Sequence, residues 1–297
     1  MRIDAHVHVW GPNELDRYEW MTKGMDAIRR TRGPGDLRPH LERHSFDRAI
    51  LVQTFSSVEE TYGFLELAEA TEFLVGVVGW VDLTDPAIAD TLAELREATG
   101  GHRLVGVRHQ VHDEPDPGWL LRGAVRRGLR AVTDAGLAYD LLVRARELPA
   151  ALETARALPE LRFVVDHGAK PPIASGELEP WAARLSALAR LEHVACKLSG
   201  LVTEADWSGW RLEEILPYAW RLLEWFGEER LIFGSDWPVC ELAASYDTVV
   251  DLAERIVGGP SDRIFGGNAE RVYRLPPSCS LTPTAEPARR GPHSRAD

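Results

Sequence analysis

Short apolar runs of four to eight residues, rich in β-branched side chains, recur eight times along the chain, at 3–9, 49–55, 74–81, 104–111, 138–143, 163–167, 194–198 and 231–234. Runs of that length bounded by turn residues read as strands. Between them lie stretches whose apolar residues stand three and four apart, the spacing that gives a helix one buried face: 58–71, 87–98, 119–135, 148–158, 181–191, 212–226 and 246–257. A shorter one, 37–44, follows Asp36 as its expected N-cap. Strands alternating with helices build a parallel sheet, and eight units in about 250 residues predict one closed (β/α)8 barrel of the TIM type, a single α/β domain over 1–275. An open doubly wound sheet is disfavoured, because no GxGxxG turn follows the first run.

Two segments fall outside the repeat. The connection 11–35 carries Tyr18, Trp20, Lys23 and Met25 and is expected to cover an active site. The tail 276–297, rich in Pro, Ser, Thr and Arg, reads as disordered. Composition adds exclusions. The 297 residues are 44% hydrophobic and 27% charged, and 34 Lys+Arg against 46 Asp+Glu leave a formal net charge of -12, which repels nucleic acid and anionic membranes. No window approaches a membrane span, and the start MRIDAHVHVW lacks the basic and apolar regions of a signal peptide. Three cysteines, Cys196, Cys240 and Cys279, do not suit a disulfide framework, so a soluble cytoplasmic protein is expected, with a homodimer left open.

Barrel chemistry sits at the C-terminal strand ends. On the first run His6 and His8 are two apart, so strand alternation puts both imidazoles on one face and Ile3, Ala5, Val7 and Val9 on the other. Two imidazoles converging at a strand end can share one metal ion, commonly Zn²⁺. The sixth run ends in Asp166-His167-Gly168, and alternation places His167 on the face of Phe163 and Val165. The eighth closes on Asp236, a carboxylate that costs several kcal/mol to bury unless it is paired or bound to metal.

The segments MRIDAHVHVW, GVRHQV, VVDHGAKPPI, KLSGLVTEADW, LIFGSDWPVC and FGGNAERVY, in this order from Met1 to about Leu275, resemble the amidohydrolase superfamily. The match is narrower to its sugar-lactone hydrolases of the L-fuconolactonase and L-rhamnonolactonase type. That resemblance implies a distorted barrel in which His6, His8, His167 and Asp236 surround one divalent metal, zinc by the donor types, whose necessity stays open because some lactonases of the superfamily work without metal. It implies hydrolysis of a sugar lactone to its aldonic acid, with Asp236 moving the proton between water and leaving alkoxide. His167 and Arg108 complete the catalytic set, and where no metal is bound Arg108 or Lys197 would have to stabilise the oxyanion. No lysine closes the fourth run and no histidine lies in the fifth, so a two-metal centre is not expected. A second branch with a similar His and Asp set supplies the alternative activity, metal-dependent decarboxylation of an aromatic or unsaturated acid.

The remaining candidates are substrate contacts for a small-molecule lactone. Arg108 and His109 are neighbours, so a regular strand points only one inward, whereas a bulge would admit both. Lys197 either meets substrate or pairs with Asp236 or Asp166. Trp80, Trp237, Trp20 and His112 are candidates to stack on a sugar ring, and Asp140 is expected to pair with Arg108 or His109 across adjacent strands.

Overall fold

Eight parallel strands form where the apolar runs place them: β1 (Ile3–Val7), β2 (Arg48–Val52), β3 (Leu74–Gly79), β4 (Leu104–His109), β5 (Ala138–Leu141), β6 (Arg162–Val165), β7 (Val194–Leu198) and β8 (Leu231–Phe233). Seven of the eight stop one to three residues before the apolar run does. The chain leaves the ladder there, and those residues bend over the barrel mouth. Each strand pairs with the next in chain order, and β1 meets β8 through a bridge between Val7 and Trp237 that closes the ring. The seam is sewn just beyond the strands, His8 N–H donating to Trp237 O at 2.7 Å and Asp236 N–H to His6 O at 2.9 Å. The computed structural model describes residues 1–12, 15, 17, 18 and 20–276, so the expected disordered tail beyond Pro276 lies outside the described residues.

Helices α1 (Pro34–Arg43), α2 (Val58–Glu69), α3 (Ile88–Glu97), α4 (Gly123–Asp134), α5 (Leu148–Ala157), α6 (Trp181–Ala189), α7 (Leu212–Arg230) and α8 (Tyr246–Val257) surround the barrel. Asp36 is not the N-cap of α1. Pro34, whose fixed φ suits a first helical turn, starts the helix early, and Asp36 reaches back to accept the Gly33 N–H at 2.8 Å.

One cluster draws on every strand, from Ile3 and Ala5 of β1 through Ile50, Val78, Val105 and Ala138 to Val164, Ala195 and Ile232. This is the barrel interior. A last helix, α9 (Asn268–Tyr273), adds Ala269, Val272 and Tyr273 to it, so α9 plugs the end opposite the site. Apolar packing therefore fills the lower barrel and leaves the upper layer for charge. No helix among the described residues is long and apolar enough to cross a membrane.

Candidate active site

The first strand supplies two imidazoles by breaking its own alternation. The register against β2 shifts between Asp4 and Val7, and across that shift Ile3 and Ala5 face the interior whereas Val7 and Val9 pack against the helices. The expectation that all four share one face is corrected by this irregularity, which lets His6 and His8 aim into the mouth. Asp4, on the outer side, accepts from Ser235 N at 2.8 Å and Tyr246 Oη at 3.0 Å, and burial raises its carboxyl to about 6. His8 Nδ1 lies 2.8 Å from Val52 O, so this nitrogen carries the hydrogen and leaves the Nε2 lone pair free.

His167 and Asp236 enter through left-handed backbone. Phe163 and Val165 pack outward and Val164 inward, so unbroken alternation would leave His167 outside the barrel, contrary to the strand-based placement. Its backbone instead turns at φ 50°, ψ 38°, an uncommon conformation for a residue other than glycine, and brings the ring over the mouth. Gly200 makes room, since a Cβ there would sit 2.6 Å from His167 Nδ1. That nitrogen lies 2.9 Å from Ser199 Oγ. Asp236 has φ 59°, and its Oδ1 stands 3.4 Å from His8 Nε2, 3.7 Å from His6 Nε2 and 3.9 Å from His167 Nε2.

Burial lowers His167 to about 4 and, with the Lys197 cation, holds His6 well below its ordinary value, so both rings are neutral near pH 7. Burial acts to raise Asp236, but the neighbouring imidazoles of His167, His8 and His6 outweigh it and hold its carboxyl below the usual carboxylate range. Three imidazoles around one carboxylate are a metal-ligand set. Tetrahedral ligands about 2.1 Å from a zinc ion lie about 3.4 Å apart, close to the separations given above and to the 3.2 Å between His6 Nε2 and His8 Nε2. The residues fit a divalent metal on geometry and on donor chemistry.

A charged platform supports this set from below. Arg108 donates to Asp166 Oδ2 at 3.0 Å and to Gln53 Oε1 at 2.9 Å, and its Nη1 lies 3.2 Å from His6 Nε2. Lys197 is fully buried, 2.6 Å from Asp140 Oδ2, 3.0 Å from Asp166 Oδ1 and 3.0 Å from His6 Nδ1. It lies beneath the mouth and is not among the residues that line the cavity there. Tyr273 Oη on α9 donates to Asp140 Oδ2 at 2.8 Å, so Asp140 is held by Lys197 and Tyr273 rather than by Arg108 or His109. The register does set Arg108 beside Asp140, but the guanidinium reaches toward Gln53 and Asp166 instead.

A cavity of about 130 Å³ opens above, and His8, Trp20, Arg108, His112, His167 and Asp236 line it among the residues read from sequence. The strand does not bulge at Arg108, and His109 points away: its ring stacks on Trp119 at 4.3 Å, takes a hydrogen bond from Trp80 Nε1 at 3.0 Å and meets Glu114 at 2.9 Å. Trp80 is thereby tied outside the cavity, and Trp237 is fully buried, donating to Glu241 at 3.0 Å. Thr54, Leu142 and Val239 line the cavity without having been singled out. The polar pair Gln53-Thr54 closing an apolar run was the available signal for Thr54; Leu142 and Val239 carried none.

Thr54 also separates this cavity from a larger one of about 440 Å³ between the 11–35 connection and α2. Its hydroxyl bonds Tyr18 Oη at 2.9 Å and the Glu60 carboxylate, and its N–H donates to Glu60 Oε2 at 2.9 Å. Burial lifts Glu60 from 4.5 to about 7. A carboxyl with a raised folded pKa favours folding most below pH 4.5, and that contribution is lost as pH climbs through about 7. Gln in its place can accept the Thr54 N–H and donate to the hydroxyl. Glu60→Gln is therefore expected to match the wild type in urea unfolding at pH 5 and exceed it by about 2 kcal/mol at pH 8.5. Equal pH slopes would show that Glu60 is ionised in the fold at no cost.

A (β/α)8 barrel carrying an HxH pair, a third histidine and an aspartate at its strand ends is the architecture of a hydrolase site that can hold a divalent metal. The chain belongs to the Amidohydrolase family, whose model matches residues 3–275. It is 41% identical to an L-fucono-1,5-lactonase of Burkholderia ambifaria over 282 residues, 92% of this chain and 96% of that protein. A crystal structure of an amidohydrolase from Burkholderia multivorans with bound zinc superposes with a TM-score of 0.87 at 40% identity, covering 93% of this chain and 100% of that one. A 5-carboxyvanillate decarboxylase of Sphingomonas paucimobilis, 15% identical with a TM-score of 0.60 over 93% of this chain and 99% of its own, shares the fold alone.

Proposed function

We propose that this protein hydrolyses a sugar lactone of the L-fucono-1,5-lactone class to the aldonic acid. The observation that carries the reading is the convergence of His6, His8 and His167 on the ionised Asp236, with Arg108 beside them in one small cavity. One divalent metal, zinc by the donor set, would be held by His6, His8, His167 and Asp236 and when bound would acidify water and polarise the ester carbonyl. Lys197 and Arg108 lie 3.0 and 3.2 Å from His6, and each is already paired with a buried carboxylate, Lys197 with Asp140 and Arg108 with Asp166.

Asp236 takes a proton from the water whose oxygen bonds to the lactone carbonyl carbon. Arg108 faces the carbonyl oxygen as it gains negative charge. When the tetrahedral centre collapses, the ring C–O bond breaks and Asp236 returns its proton to the departing alkoxide oxygen, so one carboxylate serves both steps. The free buried thiols Cys196 and Cys240 suit a reducing compartment such as the cytoplasm. Decarboxylation has less support, since the two cations that reach the cavity, Arg108 and Lys170, already lie against Asp166 and Glu204.

The test is a panel of L-fucono-, L-rhamnono-, galactono- and xylono-lactones, each assayed with chelator and with added zinc. A kcat/KM of about 10⁴ M⁻¹s⁻¹ or more on at least one is expected. Failure to open any lactone in either condition would reject the reading, and carbon dioxide release from an aromatic acid would replace it.

A further inference from the structure

Both cations that reach the cavity are neutralised by carboxylates placed behind them. Arg108 has Asp166, and Lys170, in the left-handed turn after His167, donates to Glu204 on the loop beyond β7. Lys170 and Glu204 are 34 residues apart in sequence, and each side chain is 18% exposed, so the pair is shielded yet open to whatever enters. His112, on the same cavity wall, is lowered to about 3 by burial first and by Lys170 next, which places the ammonium where a ligand would feel it. Asp113 and Asp236 line the cavity as well. Among the described residues, four carboxylates therefore face or back these two cations.

We infer that Glu204 is a specificity-determining residue: by neutralising Lys170 it selects uncharged lactones and turns away lactones that bear a free carboxylate or sulfonate. The inference rests on the lactone-hydrolysis reading above and names its substrate class. An anionic ring substituent would have to leave water for a cavity whose two cations are already paired with carboxylates. Hydroxyl groups meet no such barrier, because Thr54, Gln110 and Lys170 offer them donors and acceptors.

The discriminating pair is L-galactono-1,4-lactone and the matching galactaro-1,4-lactone, which differs only in carrying a carboxylate at C6. The wild type is expected to prefer the neutral member in kcat/KM by about 100-fold. Glu204→Gln frees the Lys170 charge and should raise the anionic-to-neutral ratio about 10-fold, while E204Q combined with K170M should return it toward the wild-type value. An unchanged ratio in folded E204Q, or a wild type indifferent to the carboxylate, overturns the inference. A wild type that opens no lactone of the panel overturns the functional reading instead. Should E204Q not fold, salt gives the same answer without a variant: about 0.5 M against 0.02 M salt should speed the anionic lactone several-fold and leave the neutral one unchanged. Equal salt responses overturn the inference as surely as an unchanged ratio.

Discussion

Asp236→Asn is expected to lower kcat/KM for the lactone by about 10² to 10⁴-fold, the range for loss of a general acid–base group, with little change in folding. Asn tolerates left-handed backbone nearly as well as Asp, so the φ of 59° costs nothing new, whereas alanine would strain the turn. The amide keeps the shape of the side chain but has no low-lying pair to take a proton from water. Circular dichroism and the thermal midpoint separate the two effects: a folded variant with activity within tenfold of the wild type would remove Asp236 from the proton path.

Lys197→Met should destabilise the fold by about 3–5 kcal/mol, the cost of breaking a buried ion pair from one side. The ammonium is the common partner of Asp140 and Asp166, both fully buried. Asp166 keeps Arg108 at 3.0 Å, so the orphan is Asp140, whose carboxyl burial already pushes up and which would then retain only the Tyr273 hydroxyl. Adding Asp140→Asn to Lys197→Met should recover about half of the loss, because a neutral amide is cheaper to bury than an unpaired carboxylate. Urea unfolding of the single and double variants checks this; a cost below about 1 kcal/mol for Lys197→Met would mean the network is relaxed by other groups. Lys197 Nζ, 3.0 Å from His6 Nδ1, is also placed to fix that ring.

Much of this site was legible because strand ends in a parallel barrel are apolar until chemistry intervenes. His6, His8, Asp236 and Arg108 interrupt such runs and line or adjoin the cavity. His109 and Lys197 interrupt them too and lie elsewhere, since sequence records that a polar residue is present and not which way its Cα–Cβ bond points. Trp80 and Trp237 are unreadable for another reason: an indole serves packing and sugar contact equally well, and here Glu241 and His109 take their N–H groups.

Local periodicity suffices for the barrel, because each strand and helix is specified by the spacing of its own apolar residues and eight repeats leave one closed arrangement. The strand-end residue types suffice for the hydrolytic chemistry, since imidazole and carboxylate have few other reasons to stand there. The shape of the site depends on long-range geometry. The irregularity in β1, the left-handed turns at His167 and Asp236, and the pairing of Lys170 with Glu204 are each stabilised by atoms distant in the chain, such as Trp237 O, the space above Gly200 and the loop after β7. Contacts of that kind leave no periodic trace in sequence, and they set which charges a substrate meets.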